Sequence, residues 1–190
     1  MRLNRNRSTA TDFRSRGFLV AWGPQVTASI GAALLIVGLA GCGRNQQITE
    51  HQRKEARHLV AEADFAMNLR EWARAEGLLA KATSLAPDEG AYWTNLGSMR
   101  VRLGNKGGAK DAYLQALKAH AANASKDQTD PDPWLRQVYV LALLGRVNDG
   151  RALLEQIARQ FPGNRQVRVF IETKQLDLIL AEPGFKQAAL

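Results

Sequence analysis

The apolar residues of this chain recur every three or four positions, and chain-breaking residues interrupt them at intervals. Leu59, Ala63 and Ala66 show the helical spacing, and no segment after residue 45 alternates between apolar and polar residues as a half-buried strand would. The interrupting residues are Pro87, Gly90, Gly104, Pro131, Pro133, Gly145, Pro162 and Gly163. Several of them are separated by the length of one short helix, which is typical of pairs of helices joined by tight turns. The sequence therefore predicts an all-α fold.

A repeat with a period of about 34 residues connects the helical segments. Trp93, Leu96 and Gly97 form a W-x2-L-G motif, and Ala109 and Tyr113 follow in an A-x3-Y motif. Two further sets of small and apolar residues fall into the same register. They are Ala75, Leu79, Ala82 and Pro87, and then Trp134, Gly145, Leu154, Ile157 and Pro162. This pattern resembles the tetratricopeptide repeat, and the resemblance implies a solenoid of about three helix pairs in which small residues let the helices approach closely.

The resemblance divides most of the chain after residue 55 into three units. The units span 56–89, 90–123 and 131–164. The polar residues 124–130 form an insert between the second and third units, and we expect this insert to be exposed. Asp132 before Pro133 predicts a helix that begins with Asp132 as its N-cap and Pro133 as its first residue.

Residues 165–190 are predicted to close the solenoid. Val167, Phe170 and Leu178 lie on one side of a helical pattern that runs over 165–181, with charged residues on the other side. Solenoids need a terminal unit with a polar outer face. We therefore expect one capping helix over 165–181, followed by a tail in which Phe185 folds back onto the cap.

Residues 1–41 are predicted to be a signal peptide. Residues 1–16 carry five arginines and one acidic residue, and residues 26–41 are apolar or small and uncharged. That apolar run is shorter than the roughly 20 residues that a membrane helix needs, and the basic, apolar and small-residue order is that of a secretory signal. Part of the formal net charge of +8 therefore belongs to this segment, so the basic composition does not indicate nucleic-acid binding.

Leu39, Ala40, Gly41 and Cys42 resemble the lipobox of bacterial lipoproteins. The resemblance implies cleavage before Cys42, the only cysteine in the chain, and attachment of a diacylglycerol and further fatty-acid chains such as palmitate to that residue. By the same resemblance, Gly43 after the cysteine favours export to the outer membrane over retention at the inner one. Residues 42–55 would then be a lipid-anchored polar tether and the start of the first helix. The alternative is an inner-membrane adaptor with an uncleaved N-terminal anchor.

The sequence contains no enzyme motif. It has no phosphate-binding glycine loop, no H-E-x-x-H motif and no paired cysteines. His51 and His58 could share one face of a helix, but no third ligand follows at helical spacing, so we expect no metal and no cofactor besides the covalent lipid. An enzyme whose repeats accompany a catalytic site is disfavoured, because repeats and cap use nearly all of residues 42–190.

Partner binding is predicted on the concave face, which the first helix of each unit would line. The candidate groove residues are Arg57, Asp64, Asn95, Ser98, Arg102, Arg136 and Tyr139. Some tetratricopeptide domains hold a partner's C-terminal carboxylate with a clamp of Lys, Asn and Arg. Asn95 and Arg136 match two of the clamp positions, but Asp64 and Asp132 stand at others. Binding of a terminal carboxylate by such a clamp is therefore not expected. Arg102 and Arg136 suggest instead a groove for an acidic or extended peptide, and a solvated charged face is the other interpretation.

These observations predict a non-catalytic scaffold that is anchored by lipid on the periplasmic side of a bacterial envelope. The expected partners are envelope proteins that place a peptide segment in the groove, and neither nucleic acid nor a small-molecule substrate is expected. By resemblance, such lipoproteins assist the assembly of pili, secretion systems or outer-membrane proteins, or serve as accessory subunits of peptidoglycan enzyme complexes. The sequence does not choose among these pathways.

Overall fold

The computed structural model describes residues 47–190, and all regular structure in this range is helical. The helices are α1 (Glu50–Asn68), α2 (Trp72–Leu85), α3 (Gly90–Arg102), α4 (Lys106–Lys126), α5 (Asp132–Leu143), α6 (Val147–Gln160), α7 (Arg165–Glu172), α8 (Gln175–Ala181) and α9 (Pro183–Lys186). The predicted signal peptide 1–41, the peptidase site Leu39 to Gly41 and the lipidation site Cys42 lie outside the described residues.

The first six helices form three pairs that stack in chain order. The extensive packing is between consecutive helices from α1 to α6, as expected for a quasi-one-dimensional solenoid. The second helices of the pairs begin at Trp72, Lys106 and Val147. The interval between the last two starts exceeds the interval between the first two by the length of the predicted insert 124–130. The prediction of an all-α helical-repeat solenoid is confirmed by these pairs.

The turn inside each pair uses a left-handed residue at the same repeat position. Arg70, Gly104 and Gly145 have φ values of 60°, 78° and 72°. In each turn the next N–H closes back onto the preceding helix; for example, the Asn105 N–H donates to the Arg100 carbonyl at 2.8 Å. This is the Schellman end of a helix, for which glycine is the least strained residue. The second and third turns have glycine at this position, and the first turn has Arg70.

Small residues at the repeat positions let the two helices of a pair touch. Gly97 on α3 faces Tyr113 on α4 so closely that a Cβ atom at residue 97 would overlap the tyrosine ring. Tyr113 is fully buried, as are Ala109 and Ala116 on the same helix. The glycine of the W-x2-L-G motif and the aromatic of the A-x3-Y motif are therefore complementary halves of one contact.

Two arginines join consecutive parts of the solenoid through partly buried ion pairs. Arg53 on α1 donates to both oxygens of Asp88, at 3.2 and 2.7 Å. Burial alone would raise the pKa of Asp88, but the hydrogen bond from Arg53 and the charge of Arg53 lower it below its ordinary value. Arg100 on α3 donates to Glu76 on α2 at 2.9 Å and to the Gly108 carbonyl on α4 at 3.1 Å. These contacts connect α1 to the turn between α2 and α3, and connect α3 to both α2 and α4.

The predicted exposure of the insert 124–130 is wrong at its first residue. Ala124 to Lys126 form the last turn of α4, and Ala124 is buried. The run of helix-favouring residues before the insert continues into it, because no glycine or proline interrupts the chain until Pro131. The position predicted for Asp132 is also wrong. Asp132 is the first residue of α5, Pro131 is its N-cap, and the Asp130 side chain accepts the Asp132 N–H at 2.9 Å.

The predicted single capping helix over 165–181 is wrong. The segment forms two helices, α7 and α8, separated by Thr173 and by Lys174, which has a φ of 49°. Val167 and Leu176 are both buried in the same core. On an unbroken helix, residues nine positions apart point in nearly opposite directions, so the break is what lets both side chains reach the core. Phe185 does fold back, but its ring packs against Tyr139 on α5.

Candidate functional site

A small cavity of about 130 Å³ lies where α3, α4 and α5 meet. Its lining residues are Ala91, Thr94, Asn95, His120, Arg136, Tyr139 and Val140. Three of the residues predicted for the groove, namely Asn95, Arg136 and Tyr139, therefore come together at one place although they lie on two different repeats. The repeat register is what brings them there, since each lies on the first helix of its pair.

Sequence reasoning missed His120, a buried residue that lines this cavity. The residue is 5% exposed, and its ring occupies the space that a side chain at residue 90 would need: a Cβ atom on Gly90 would lie 2.5 to 2.7 Å from it. Burial, and then the nearby charge of Arg136, lower the pKa of His120 to about 4. The imidazole is therefore neutral at pH 7. A glycine at the start of α3, opposite a histidine on α4, is the signal that could have indicated this packing.

The guanidinium of Arg136 stands at the rim of the cavity. Its Nε donates to Asp132 Oδ2 at 2.5 Å, one helical turn earlier on α5. The Arg136 side chain is 53% exposed, so the pair is open to water and contributes little to stability. The remaining donors of the guanidinium can reach a ligand without breaking that pair, because arginine offers five N–H groups in a planar fork.

Segment 182–190 lies along the same face of the solenoid. Tyr113 Oη donates to the Ala188 carbonyl at 2.5 Å, and it lies 3.3 Å from the predicted groove residue Ser98. The ring of Phe185 meets the ring of Tyr139 edge-on, with the ring centres 5.9 Å apart. The Leu190 N–H donates to the Leu143 carbonyl at 2.9 Å. The chain's own residues thus cover part of the surface predicted to bind a partner.

The other predicted groove residues lie apart from this cavity. Arg102, at the end of α3, stacks its guanidinium over the ring of Trp72 at 4.9 Å, a cation–π contact that engages it within the protein. Arg57 and Asp64 are exposed on α1. The structure therefore gathers Asn95, Ser98, Arg136 and Tyr139 around one region and leaves the remaining three elsewhere, and a binding role for any of the seven stays a prediction.

A second, larger cavity of about 320 Å³ lies between α6, α7 and α8. Leu154, Phe170 and Ile171 contribute apolar lining, and Arg151 spans the edge by donating to Asp177 at 2.7 Å. Sequence reasoning did not find it, because it is created by the break between α7 and α8. Its polar lining residues are exposed at its edge, and two of them, Arg151 and Asp177, are paired with each other.

Metal-binding and membrane-spanning features are absent from the described part of the chain. Between residues 47 and 190, no three His, Cys, Asp or Glu side chains gather closely enough to hold a metal ion. His51 and His58 lie on α1 beside Glu55 and Glu62, at 4.0 and 3.1 Å. Over the same range, no helix has both the length and the apolar character needed to cross a bilayer.

Comparison with known proteins yields a structural similarity. No family model and no curated protein matches this chain. Among solved structures, the chain is similar to the TPR domain of Arabidopsis OM64, with 15% sequence identity and a TM-score of 0.39. The alignment covers 66% of this chain and 98% of that domain.

Proposed function

We propose that residues 47–190 form a non-catalytic protein-interaction scaffold that binds a peptide segment on the face bearing Asn95, Arg136 and Tyr139. The observation that supports this proposal is the convergence of these three side chains, with His120, on one cavity between two repeats. A solenoid holds such side chains in place before a partner arrives, so little conformational entropy is lost when the partner docks.

The chemistry of the cavity favours an acidic side chain or a polar main-chain group of the partner. Arg136 offers a positive charge at the rim, Asn95 offers both donors and an acceptor, and His120 is neutral at pH 7. Arg102 is engaged with Trp72, so the second arginine that suggested a broadly basic groove does not contribute here. The proposed site is therefore a single-arginine site with neutral polar neighbours.

We further propose that the scaffold is held at a membrane by lipid on Cys42. The support is the lipobox-like Leu39 to Cys42 motif behind an uncharged segment, and two or more acyl chains suffice for stable anchoring. The first helix begins at Glu50, with Thr49 and Gln52 forming a capping box, which leaves a short polar tether after Cys42. Anchoring raises the effective concentration of partners in the same envelope layer, and the outer membrane is favoured. An adaptor with an uncleaved anchor is the alternative.

Site-specific crosslinking tests the scaffold proposal. A photo-crosslinking amino acid at residue 95 should capture a partner in cells, whereas the same group at the exposed residue 156 on α6 should not. Arg136→Ala should abolish the adduct at residue 95. Arg146→Ala is the matched control, because Arg146 is equally exposed and also pairs with a nearby aspartate, at 2.6 Å. Equal adducts from residues 95 and 156, or an adduct unaffected by Arg136→Ala, would contradict the proposal.

Fatty-acid labelling separately tests the anchor. Cells fed an alkyne-bearing fatty acid should label the wild-type protein and should not label Cys42→Ser. If the Cys42→Ser precursor is cleaved, the variant should leave the membrane fraction; if it is not cleaved, the variant should accumulate as a full-length precursor. A Cys42→Ser protein that stays on the membrane at the same size as the wild type would instead support the uncleaved anchor.

A further inference from the structure

Segment 182–190 covers part of the proposed binding face through contacts that another peptide could reproduce. Two of them use the main chain: the Ala188 carbonyl accepts from Tyr113 Oη, and the Leu190 N–H donates to the Leu143 carbonyl. Main-chain groups are common to all peptides, so these two bonds select a backbone conformation and not a sequence. Recognition of an extended or single-turn segment by main-chain bonds plus side-chain pockets is a general mode of peptide binding.

Two side chains of the segment supply the selective contacts. Phe185 is 7% exposed and packs edge-on against Tyr139, a geometry that aromatic pairs favour. Ala188, three residues later, is also 7% exposed and belongs to the same core as Tyr113. The segment thus buries an aromatic residue and, three positions later, a small one.

The segment is held by these contacts and not by helix stability of its own. The helix α9 has four residues, and isolated helices of this length do not form in water. Its order therefore depends on docking to α4 and α5. Phe185 and Ala188 belong to the same core as residues of the second and third helix pairs, so a competing segment must bury equivalent side chains there. A segment that does so leaves the packing between the helices of the pairs as it is.

We propose that segment 182–190 is an intramolecular competitor for the binding face, and that the partner is a segment of the same chemistry, one helical turn with an aromatic residue and, three positions later, a small residue. The partner binds by displacing segment 182–190 from Tyr113 and Tyr139. This inference rests on the proposed function, because it identifies the partner of that face. With competition of this kind, the apparent dissociation constant equals the intrinsic one divided by the fraction of molecules whose face is open.

The test uses the full-length chain and a fluorescent synthetic peptide with the sequence of residues 182–190. Phe185→Ala weakens docking of the chain's own segment, so this variant should bind the peptide at least about tenfold more tightly than the wild type does. Phe170→Ala is the matched control, since it removes the same ring from α7, outside the face, and should leave peptide affinity at the wild-type value. A peptide with alanine in place of its phenylalanine should bind Phe185→Ala at least about tenfold more weakly than the original peptide.

A further variant guards against misfolding of Phe185→Ala. Phe185→Leu keeps an apolar side chain but loses the aromatic pair, so it should show intermediate peptide affinity. Equal peptide affinity for wild type and Phe185→Ala would overturn the inference, and so would a dimer that exchanges segment 182–190 between copies. The scaffold proposal fails separately, through the loss of Arg136-dependent crosslinking, because Arg136 is not needed for the peptide to contact Tyr113 and Tyr139.

Discussion

Tyr113 and Ala188 are 75 residues apart in sequence, yet the tyrosine hydroxyl donates a hydrogen bond of 2.5 Å to the alanine carbonyl. Tyr113 belongs to the repeat core, where its ring lies against Gly97, and its hydroxyl lies 3.3 Å from that of Ser98, one of the residues predicted for the groove. One residue therefore connects the packing of the second helix pair to the docking of segment 182–190.

We expect the stability of the protein to fall between pH 10 and 12 because of Tyr113. Burial raises the pKa of Tyr113 to about 12, whereas an unfolded chain loses the same proton near pH 10. The folded state therefore loses about 2 to 3 kcal/mol of stability as the pH rises from 10 to 12. Thermal unfolding as a function of pH, for wild type and Tyr113→Phe, measures how much of the loss of stability is due to Tyr113. Identical pH dependences of the two proteins would contradict the assignment.

A second pH dependence is expected from His120 on the acidic side. The pKa of His120 is lowered to about 4 by burial and by Arg136, while Asp132 acts in the opposite direction. Between pH 6.5 and 4 the unfolded chain binds a proton that the folded chain does not, so stability decreases as the pH falls, by about 3 kcal/mol. Urea unfolding of wild type and His120→Gln at pH 7, 6, 5 and 4 should show a shallower decrease for the variant. If both lose stability in parallel, His120 is not the titrating group.

Gly97→Ala should destabilise the protein, whereas Gly77→Ala should stabilise it. A Cβ atom at residue 97 overlaps the ring of Tyr113, but one at residue 77 meets nothing within 4 Å. Overpacking of this kind costs about 1 to 3 kcal/mol, and replacing an open glycine inside a helix by alanine stabilises by roughly 1 kcal/mol. Chemical denaturation of both variants gives the comparison. A stabilised Gly97→Ala variant would show that the contact with Tyr113 relaxes freely.

Arg70→Gly is expected to stabilise the first helix pair. Arg70 has a φ of 60° at the position where the next two pairs have Gly104 and Gly145. The left-handed conformation costs a residue with a Cβ atom about 1 kcal/mol relative to glycine. Thermal unfolding should therefore show a higher midpoint for Arg70→Gly and a lower one for the reciprocal control Gly104→Ala. The prediction is wrong if the two substitutions shift the midpoint in the same direction.

Local patterns in the sequence were sufficient to predict the helix pairs. The W-x2-L-G and A-x3-Y motifs predicted the register of the paired helices and small residues where they approach, because the helical period and the length of a turn leave few ways to pair two adjacent helices. The contact between Gly97 and Tyr113 was seen only in the structure. The candidate groove was predicted less completely. Asn95, Arg136 and Tyr139 were identified from their place in the repeat, but His120 was not, since it lies on a second helix where the repeat pattern assigns no groove residue.

The capping region was predicted least well. The apolar spacing of 165–181 suits one helix, and Lys174 carries no local signal for the left-handed turn that divides it. The break follows from the core of the preceding pairs, which accepts both Val167 and Leu176. The apolar pattern of a segment indicates which side chains will be buried, but it does not indicate the surface against which they will pack.

The sequence by itself determined the class of fold and the order of its helices, because both depend on residues close together in the chain. Helical periodicity, turn residues and small residues at repeat positions act over short stretches of sequence. The tertiary structure alone decided that His120 and Arg136 line one cavity and that segment 182–190 contacts Tyr113 and Tyr139. Those contacts join residues on different helices, and they become favourable only after the solenoid has brought their surfaces together.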